Sequence, residues 1–178
     1  ETRMEATDGA RVALKGEVIL PQYRRACLLA TDGATLTINK MLFGTNKNHI
    51  HCELIATNHA TLAFASSVVL GNEQTAEDFC FTTCVQVADS TLKVTSNSLG
   101  LGNPVENEGD HLTTLALTNA QVIATNAANS TAVSVYNGTV TSKETDWTAS
   151  IVSLKASNPT CASVLTFDGG RMDISNRL

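Results

Sequence analysis

One short turn phrase recurs along this chain and limits the folds that are open to it. The phrase reads ATDGATLTI over residues 30–38 and ATNHATLAF over residues 56–64. Each copy follows a short apolar segment and precedes another, and Asp, Asn and Gly are residues that tight turns favour. Looser copies are centred on Asp8, Asp89, Asn119, Asn137 and Asp168. The chain is therefore organised as repeated strand–turn–strand units.

The spacing of these turns predicts a solenoid. Turn residues at positions 8, 32, 58, 89, 119, 137 and 168 are separated by 24, 26, 31, 30, 18 and 31 residues. A repeat of about 20 to 30 residues with uneven length is typical of a solenoid whose rungs carry insertions. The shortest interval, 119–137, has room for three strands of about four residues with tight corners. We interpret it as a bare rung, onto which the longer rungs can be laid.

Composition favours many short strands over helices. Aromatic residues make up only 4% of the chain, which suits a narrow interior filled by small and β-branched side chains. No long segment shows the 3.6-residue apolar spacing of an amphipathic helix. We therefore predict one all-β domain over residues 1–178, a single-stranded parallel β-helix with three short strands per rung and about six rungs. Each rung buries its inward side chains by stacking on its neighbours.

The residues in excess of a bare rung fall between its second and third strands. They occupy positions 21–26, 44–51, 71–83 and 102–113. In a stacked solenoid these insertions project from one flank, which is where such scaffolds place recognition loops. Loops 44–51, 71–83 and 102–113 are the predicted contact loops, with candidate binding residues Lys47, His49, His51, Glu73, Glu77, Asp78, Glu106, Glu108 and Asp110.

Charge and hydropathy exclude two classes of partner. The formal net charge is −5, whereas nucleic acids and anionic membranes select proteins with a basic face. No stretch approaches the roughly 20 apolar residues that a membrane-spanning helix requires. We predict no nucleic-acid partner and no membrane insertion by this segment.

The two histidines of one insertion are candidate metal ligands. His49 and His51 lie on one face of an extended segment, with Cys52 on the other. A structural metal site needs further ligands, and no second pair stands nearby in the sequence. We therefore predict an exposed pair of loop histidines, with no metal and no cofactor.

Three cysteines occupy nearly the same place in successive rungs. Cys27, Cys52 and Cys84 each begin the third strand of a rung, which predicts an internal ladder of small apolar thiols. Stacked strands lie about 4.8 Å apart, so a Cys27–Cys52 disulfide is also open, as is a small loop closed by Cys80 and Cys84.

The acidic insertions raise an enzymatic alternative. A carbohydrate-active enzyme of the polysaccharide lyase or hydrolase type would place its site on the loop edge, and loops at Asp78 or Asp110 could also hold calcium weakly. Such β-helix enzymes resemble one another in carrying adjacent charged residues on consecutive rungs of one face. Here Glu53, Lys93 and Arg171 are scattered over the proposed strands. We predict a solvated acidic edge and no catalytic residue, and favour a non-enzymatic chain over the enzymatic alternative.

Two other folds compete with the parallel β-helix. An antiparallel β-sandwich is also rich in turns, but strands such as residues 18–20 and 68–70 are apolar on both faces rather than alternating. An ice-binding solenoid needs regular Thr-x-Thr ladders, which occur at residues 35–37 and 139–141 but not in the rungs between. Both are therefore disfavoured.

The repeated Asp/Asn-Gly/Ala-Thr-Leu-x-Ile phrase resembles the passenger domains of bacterial autotransporter adhesins, over roughly residues 6–178. Those domains are right-handed parallel β-helices with Asn/Thr-rich rungs. The resemblance implies a right-handed helix and a segment of a longer secreted or cell-surface protein, associated with virulence and serving in adhesion or as a stalk. It implies a host surface protein or a glycan as the partner, and it carries over no catalytic residue. Open helix ends also predict self-association through exposed sheet edges.

Overall fold

The structure of the protein is a computed structural model. It describes residues 2–20, 25–43, 50–70, 81–96, 98–102, 111–126, 128, 130–136, 138–155 and 163–177. These residues form strands joined by turns and bends, and none of them is helical. The strands are β1 Thr2–Ala6, β2 Arg11–Leu20, β3 Arg25–Ala30, β4 Thr35–Phe43, β5 Ile50–Thr57, β6 Thr61–Phe64, β7 Val68–Leu70, β8 Phe81–Ala88, β9 Thr91–Val94, β10 Ser98–Gly102, β11 His111–Thr118, β12 Gln121–Ala124, β13 Ala132–Tyr136, β14 Thr139–Lys155 and β15 Val164–Arg177.

Every strand pairs in parallel with the equivalent strand of a neighbouring rung, which gives three stacked ladders. The first ladder follows the anchor turn and runs from the start of β2 through β4, β6, β9 and β12 to the middle of β14. The second ladder joins β7, β10, β13 and the end of β14. The third ladder joins β1, β3, β5, β8, β11 and the starts of β14 and β15. The chain is a parallel β-solenoid, as predicted, with about five turns, close to the predicted six.

Alternation along each strand decides what enters the core. Side chains of successive strand residues point to opposite faces, so one residue in two is buried inside the solenoid. The register stacks Leu36, Leu62, Leu92, Val122 and Trp147 in one column of the first ladder, and all five are buried. Like side chains in such columns remove apolar surface from water rung by rung. The interior is therefore continuous along the described stack.

The buried tryptophan differs from what the sequence predicts for a narrow interior. Trp147 enters a column whose preceding members are Leu and Val, and its indole N–H would be costly to bury without a partner. The hydroxyl oxygen of Ser142, itself buried, accepts this N–H at 2.9 Å. The rung tolerates the large ring because a small residue beside it completes the hydrogen bond.

The turns that join the third strand to the first are called the anchor corners. They comprise residues 7–10, 31–34, 57–60, 89–90, 119–120, 144–145 and 169–170. Their turn residues adopt positive φ, a region that Asp, Asn and Gly enter at low cost. The φ angles are 54° at Asp8, 53° at Asp32, 54° at Asn58, 50° at Asp89 and 46° at Asn119.

Hydrogen bonds run along the solenoid axis through these corners. The Asn119 side-chain amide donates to Asp89 Oδ1 at 2.7 Å, and the Asn58 amide donates to the Asp32 carboxylate. The backbone also connects rungs, because Gly33 N–H donates to the Asn58 carbonyl at 2.9 Å. Stacked turn residues are therefore joined along the axis by Asn–Asp pairs.

The bare rung assigned to residues 119–137 is wrong. The register continues from Thr118 to Lys143, and among the described residues the next one with positive φ is Glu144 at 47°. The corner after Asn119 is therefore at Glu144, not at Asn137, and the strand Ala132–Tyr136 belongs to the second ladder. The sequence predicted the wrong corner because Glu is not a usual turn residue, whereas an Asn-Gly pair such as 137–138 is a common turn sequence. The same rung carries its extra residues at 125–131, between its first and second strands.

The predicted column of three cysteines is also corrected. Cys52 stacks between Ala26 and Thr83 and points into the core, whereas Cys27 and Cys84 both align with Glu53. The offset is one residue, which exchanges the two faces of a strand. Cys52 is a free thiol, so the Cys27–Cys52 bridge does not form. Cys80 lies outside the described residues.

Candidate functional site

The ladder register places the insertions on one flank of the solenoid. Leu20 pairs with Phe43 and Leu70 with Leu101, so the second strands reach the same edge. Third strands begin together at the matching edge, where Ile50, Phe81 and His111 are in register. The connections 21–24, 44–49, 71–80 and 103–110 therefore leave from and return to one side, which we call the insertion flank.

Most of the predicted contact residues fall outside the described part of the chain. His51 is described, on the third ladder at the start of β5. The strand bounds also trim the loops, since residues 50–51, 81–83, 102 and 111–113 belong to strands. The predicted residues outside the described ranges are Lys47, His49, Glu73, Glu77, Asp78, Glu106, Glu108 and Asp110.

A charged cluster lies beside the insertion flank on the outer face of the third ladder. Arg25 and His51 are paired in register, with Glu53 two residues further along β5. Glu53 Oε1 lies 2.6 Å from Arg25 Nη2 and 3.1 Å from His51 Nε2. Glu53 is only 17% exposed. The cluster was missed by the sequence reasoning because its members come from two rungs.

The cluster holds Glu53 in its ionised form. Hydrogen bonds from Arg25 and then from His51 lower the pKa of the Glu53 carboxyl, and they outweigh the effect of burial, which raises it. A carboxylate with a lowered pKa is a poor general acid, because an acid catalyst must hold its proton near neutral pH. The arrangement is therefore a charge-compensated patch that positions Arg25 and His51 at the edge of the flank.

The cysteine nearest this cluster is not an activated nucleophile. Cys52 is fully buried on the inner face of the same strand. Burial is the largest cause that raises the pKa of its thiol to about 12, and the neighbouring Cys27, Glu53 and Cys84 add to it. Thiol nucleophiles need a lowered pKa and access to solvent. Cys52 is a core residue.

A concave surface lies at the anchor corner between β8 and β9 and at the next corner along the stack. It is a shallow polar groove of about 300 Å³. We call it the corner groove, and its lining residues are His59, Asp89, Ser90, Thr91, Asn119, Ala120 and Gln121. The sequence signal for this groove is a change of spacing. Leu62 follows Asn58 by four positions, whereas Leu92 follows Asp89 by three.

Two further features are absent from the residues that the structure describes. Within them, no group of three or more His, Cys, Asp or Glu side chains is placed to hold a metal ion. The same part of the chain contains no helix of the length and apolarity needed to cross a membrane.

Comparison with known proteins identifies no family for this chain. No protein-family model, no curated protein and no solved structure matches the chain. The class of the molecule therefore rests on its own geometry, which is that of a parallel β-solenoid with insertions on one flank.

Proposed function

We propose that the chain is a non-enzymatic binding and structural module of a secreted or cell-surface protein. One observation carries the proposal: connections of different length and charge leave the same edge of a regular three-ladder scaffold. A rigid scaffold that carries variable loops on one side is a common arrangement for recognition. The partner would be a host surface protein or a glycan, contacted through residues 44–49, 71–80 and 103–110.

The autotransporter-like character belongs to this proposal. The repeated anchor corners and the parallel ladders resemble those of autotransporter passenger domains. They support a role in adhesion or as a stalk. A stalk needs length with little core, and a solenoid gains length by adding rungs that contact only their neighbours.

The enzymatic alternative finds little support in the charged residues that are described. A glycosidase of the usual kind needs two carboxyl groups on either side of the scissile bond, one of them protonated. Glu53 has a lowered pKa, and its carboxylate is held by Arg25 and His51. A carbohydrate-active enzyme would therefore depend on the acidic insertions, such as those with Asp78 and Asp110.

Loop replacement tests the proposal. Residues 71–80 would be exchanged for a two-residue turn, keeping Phe81–Ala88 because β8 pairs with both β5 and β11. We expect an unchanged β-sheet circular dichroism spectrum and at least a tenfold loss of binding on a glycan or host-protein array. Binding that survives this exchange, and parallel exchanges of 44–49 and 103–110, would overturn the role of the flank.

The chain offers a matched control on another edge. Residues 126–130 also form an insertion, closed by a hydrogen bond from Ser130 N–H to Asn126 Oδ1 at 3.0 Å, but it lies between first and second strands. Shortening it should leave binding unchanged. Sugar turnover that disappears in Asp78→Asn or Asp110→Asn would instead support the enzyme.

A further inference from the structure

The corner groove exists because one anchor corner is a residue shorter than the corner before it. Thr57 pairs with Ala88 and Thr61 with Thr91, so three residues in one rung face two in the next. The extra residue is His59, which has no counterpart between Asp89 and Ser90. A step is left in the stack at this point, and the cavity of about 300 Å³ occupies it.

The backbone fixes His59 at the edge of this step. Its φ is 63°, in the region that Gly9 and Gly33 occupy at the same corner position of the preceding rungs. Its amide N–H donates to the Asp89 carbonyl at 2.7 Å. A residue other than Gly, Asn or Asp enters this conformation at a cost, and such strain often persists at functional sites. In the four-residue corners 7–10, 31–34 and 57–60, His59 stands at the position where the other two carry Gly.

The walls of the groove combine donors and acceptors. Asp89 Oδ1 accepts the Asn119 amide at 2.7 Å, a bond that uses one of the two carboxylate oxygens. Thr91, Gln121 and His59 add a hydroxyl, an amide and an imidazole, which can each donate or accept. The floor is formed by Ser90 and Ala120, both buried. Polar walls over a small, packed floor form a fixed set of hydrogen-bonding groups.

We propose that the corner groove binds one neutral sugar residue through adjacent hydroxyl groups. A pair of hydroxyls needs acceptors and donors side by side, which Asp89, Asn119 and Gln121 supply, while the Asp89 charge disfavours anionic sugars. Ligand pockets have volumes of about 300–1,000 Å³, so this groove holds a single residue rather than a chain. The inference rests on the proposed binding function and adds a second contact, away from the insertion flank.

Amide chemical shifts of the 178-residue chain, followed by NMR, test the groove directly. The probes are methyl glycosides of glucose, galactose and mannose, with methyl glucuronide as the anionic comparison. We expect saturable shifts at Ser90, Asn119 and Gln121 with at least one neutral glycoside, and weaker shifts with the glucuronide. Absence of shifts at these three amides with every neutral sugar overturns the inference, as does a response to calcium chloride alone.

Two variants and a matched control separate recognition from structure. Asp89→Asn should weaken sugar binding at least tenfold, and His59→Gly at least fivefold, although Gly restores the residue type of the preceding corners. Asp32→Asn is the control, because Asp32 stands in the same column and accepts the Asn58 amide as Asp89 accepts Asn119. It should change binding less than twofold. Equal effects of Asp32→Asn and Asp89→Asn would contradict a site at the groove.

The two proposals fail in different ways. Sugar shifts that vanish in Asp89→Asn but survive exchange of residues 71–80 support the groove, even where array binding is independent of the loops. Array binding that requires the loops, together with no sugar shifts at Ser90, Asn119 and Gln121, overturns the groove and leaves the proposed function standing.

Discussion

At the scale of single residues, Cys52 shows how the solenoid interior changes the chemistry of a side chain. Its sulfur is buried between Ala26 and Thr83, and burial raises the pKa of the thiol to about 12 from 9.0. Between these values the folded state keeps a proton that the unfolded state has lost. The free energy of unfolding therefore falls as the pH rises through this window, and it is unaffected by Cys52 below the lower value.

This dependence can be measured against Cys52→Ala. Three pKa units correspond to about 4 kcal/mol at full titration, so urea unfolding between pH 8 and pH 11 should show a steeper loss of stability in the wild type than in the variant. Lysine and tyrosine titration affects the wild type and the variant alike, so it cancels when the two slopes of unfolding free energy against pH are subtracted. Equal slopes would show that the thiol ionises in the folded state at its ordinary pKa.

At the scale of elements, the anchor corners set the register of all three ladders. Most of them use Asp, Asn or Gly where φ is positive, whereas one uses Glu144 at a φ of 47°. A side chain without the local bonding of Asn or Asp costs roughly 1–2 kcal/mol in this conformation. The long strand β14 therefore contains a corner that is held by its neighbours rather than by its own sequence.

Glu144→Asn should stabilise the protein. We expect a gain of about 1 kcal/mol, which raises the thermal midpoint by about 2–4 °C for a chain of this size. Differential scanning calorimetry measures it. Lys143→Asn is the matched control, because Lys143 is an exposed neighbour in the strand and Asn is a poorer strand residue; it should give no gain. A lower midpoint for Glu144→Asn would contradict the strain at this corner.

The elements also show how far the sequence could be read. Corners with Asp, Asn or Gly were predictable, because turn chemistry is local, and so were the parallel ladders and the common flank. The corner at Glu144 was not, since its neighbours impose its conformation. The predicted cysteine column was wrong by one residue, and an offset of one residue exchanges the inner and outer faces of a strand. The cluster at Glu53 and the corner groove depend on register between residues more than 25 positions apart, which spacing alone does not supply.

At the scale of the whole molecule, the stability of each rung depends on the rungs stacked against it. Each rung contacts only its neighbours, so local stability depends on how many rungs cover it. In one inward column Leu117 is 1% exposed, whereas Phe167 of β15 is 39% exposed. The described stack therefore has a well-covered middle and a less covered last rung.

Hydrogen exchange of the whole chain should show this gradient and test self-association together. We expect slow exchange for amides of β6, β9 and β12, whose rungs are covered on both sides, and exchange at least a hundredfold faster for β15. Stacking of a second copy on β15 would cover Phe167 and the edge of that strand that faces away from β14. Protection of β15 that rises with protein concentration, while that of β9 stays constant, therefore indicates end-to-end association. Protection of β15 equal to that of β9 at the lowest concentration would contradict the rung-by-rung account. A fast-exchanging β15 at every concentration would exclude association through this end.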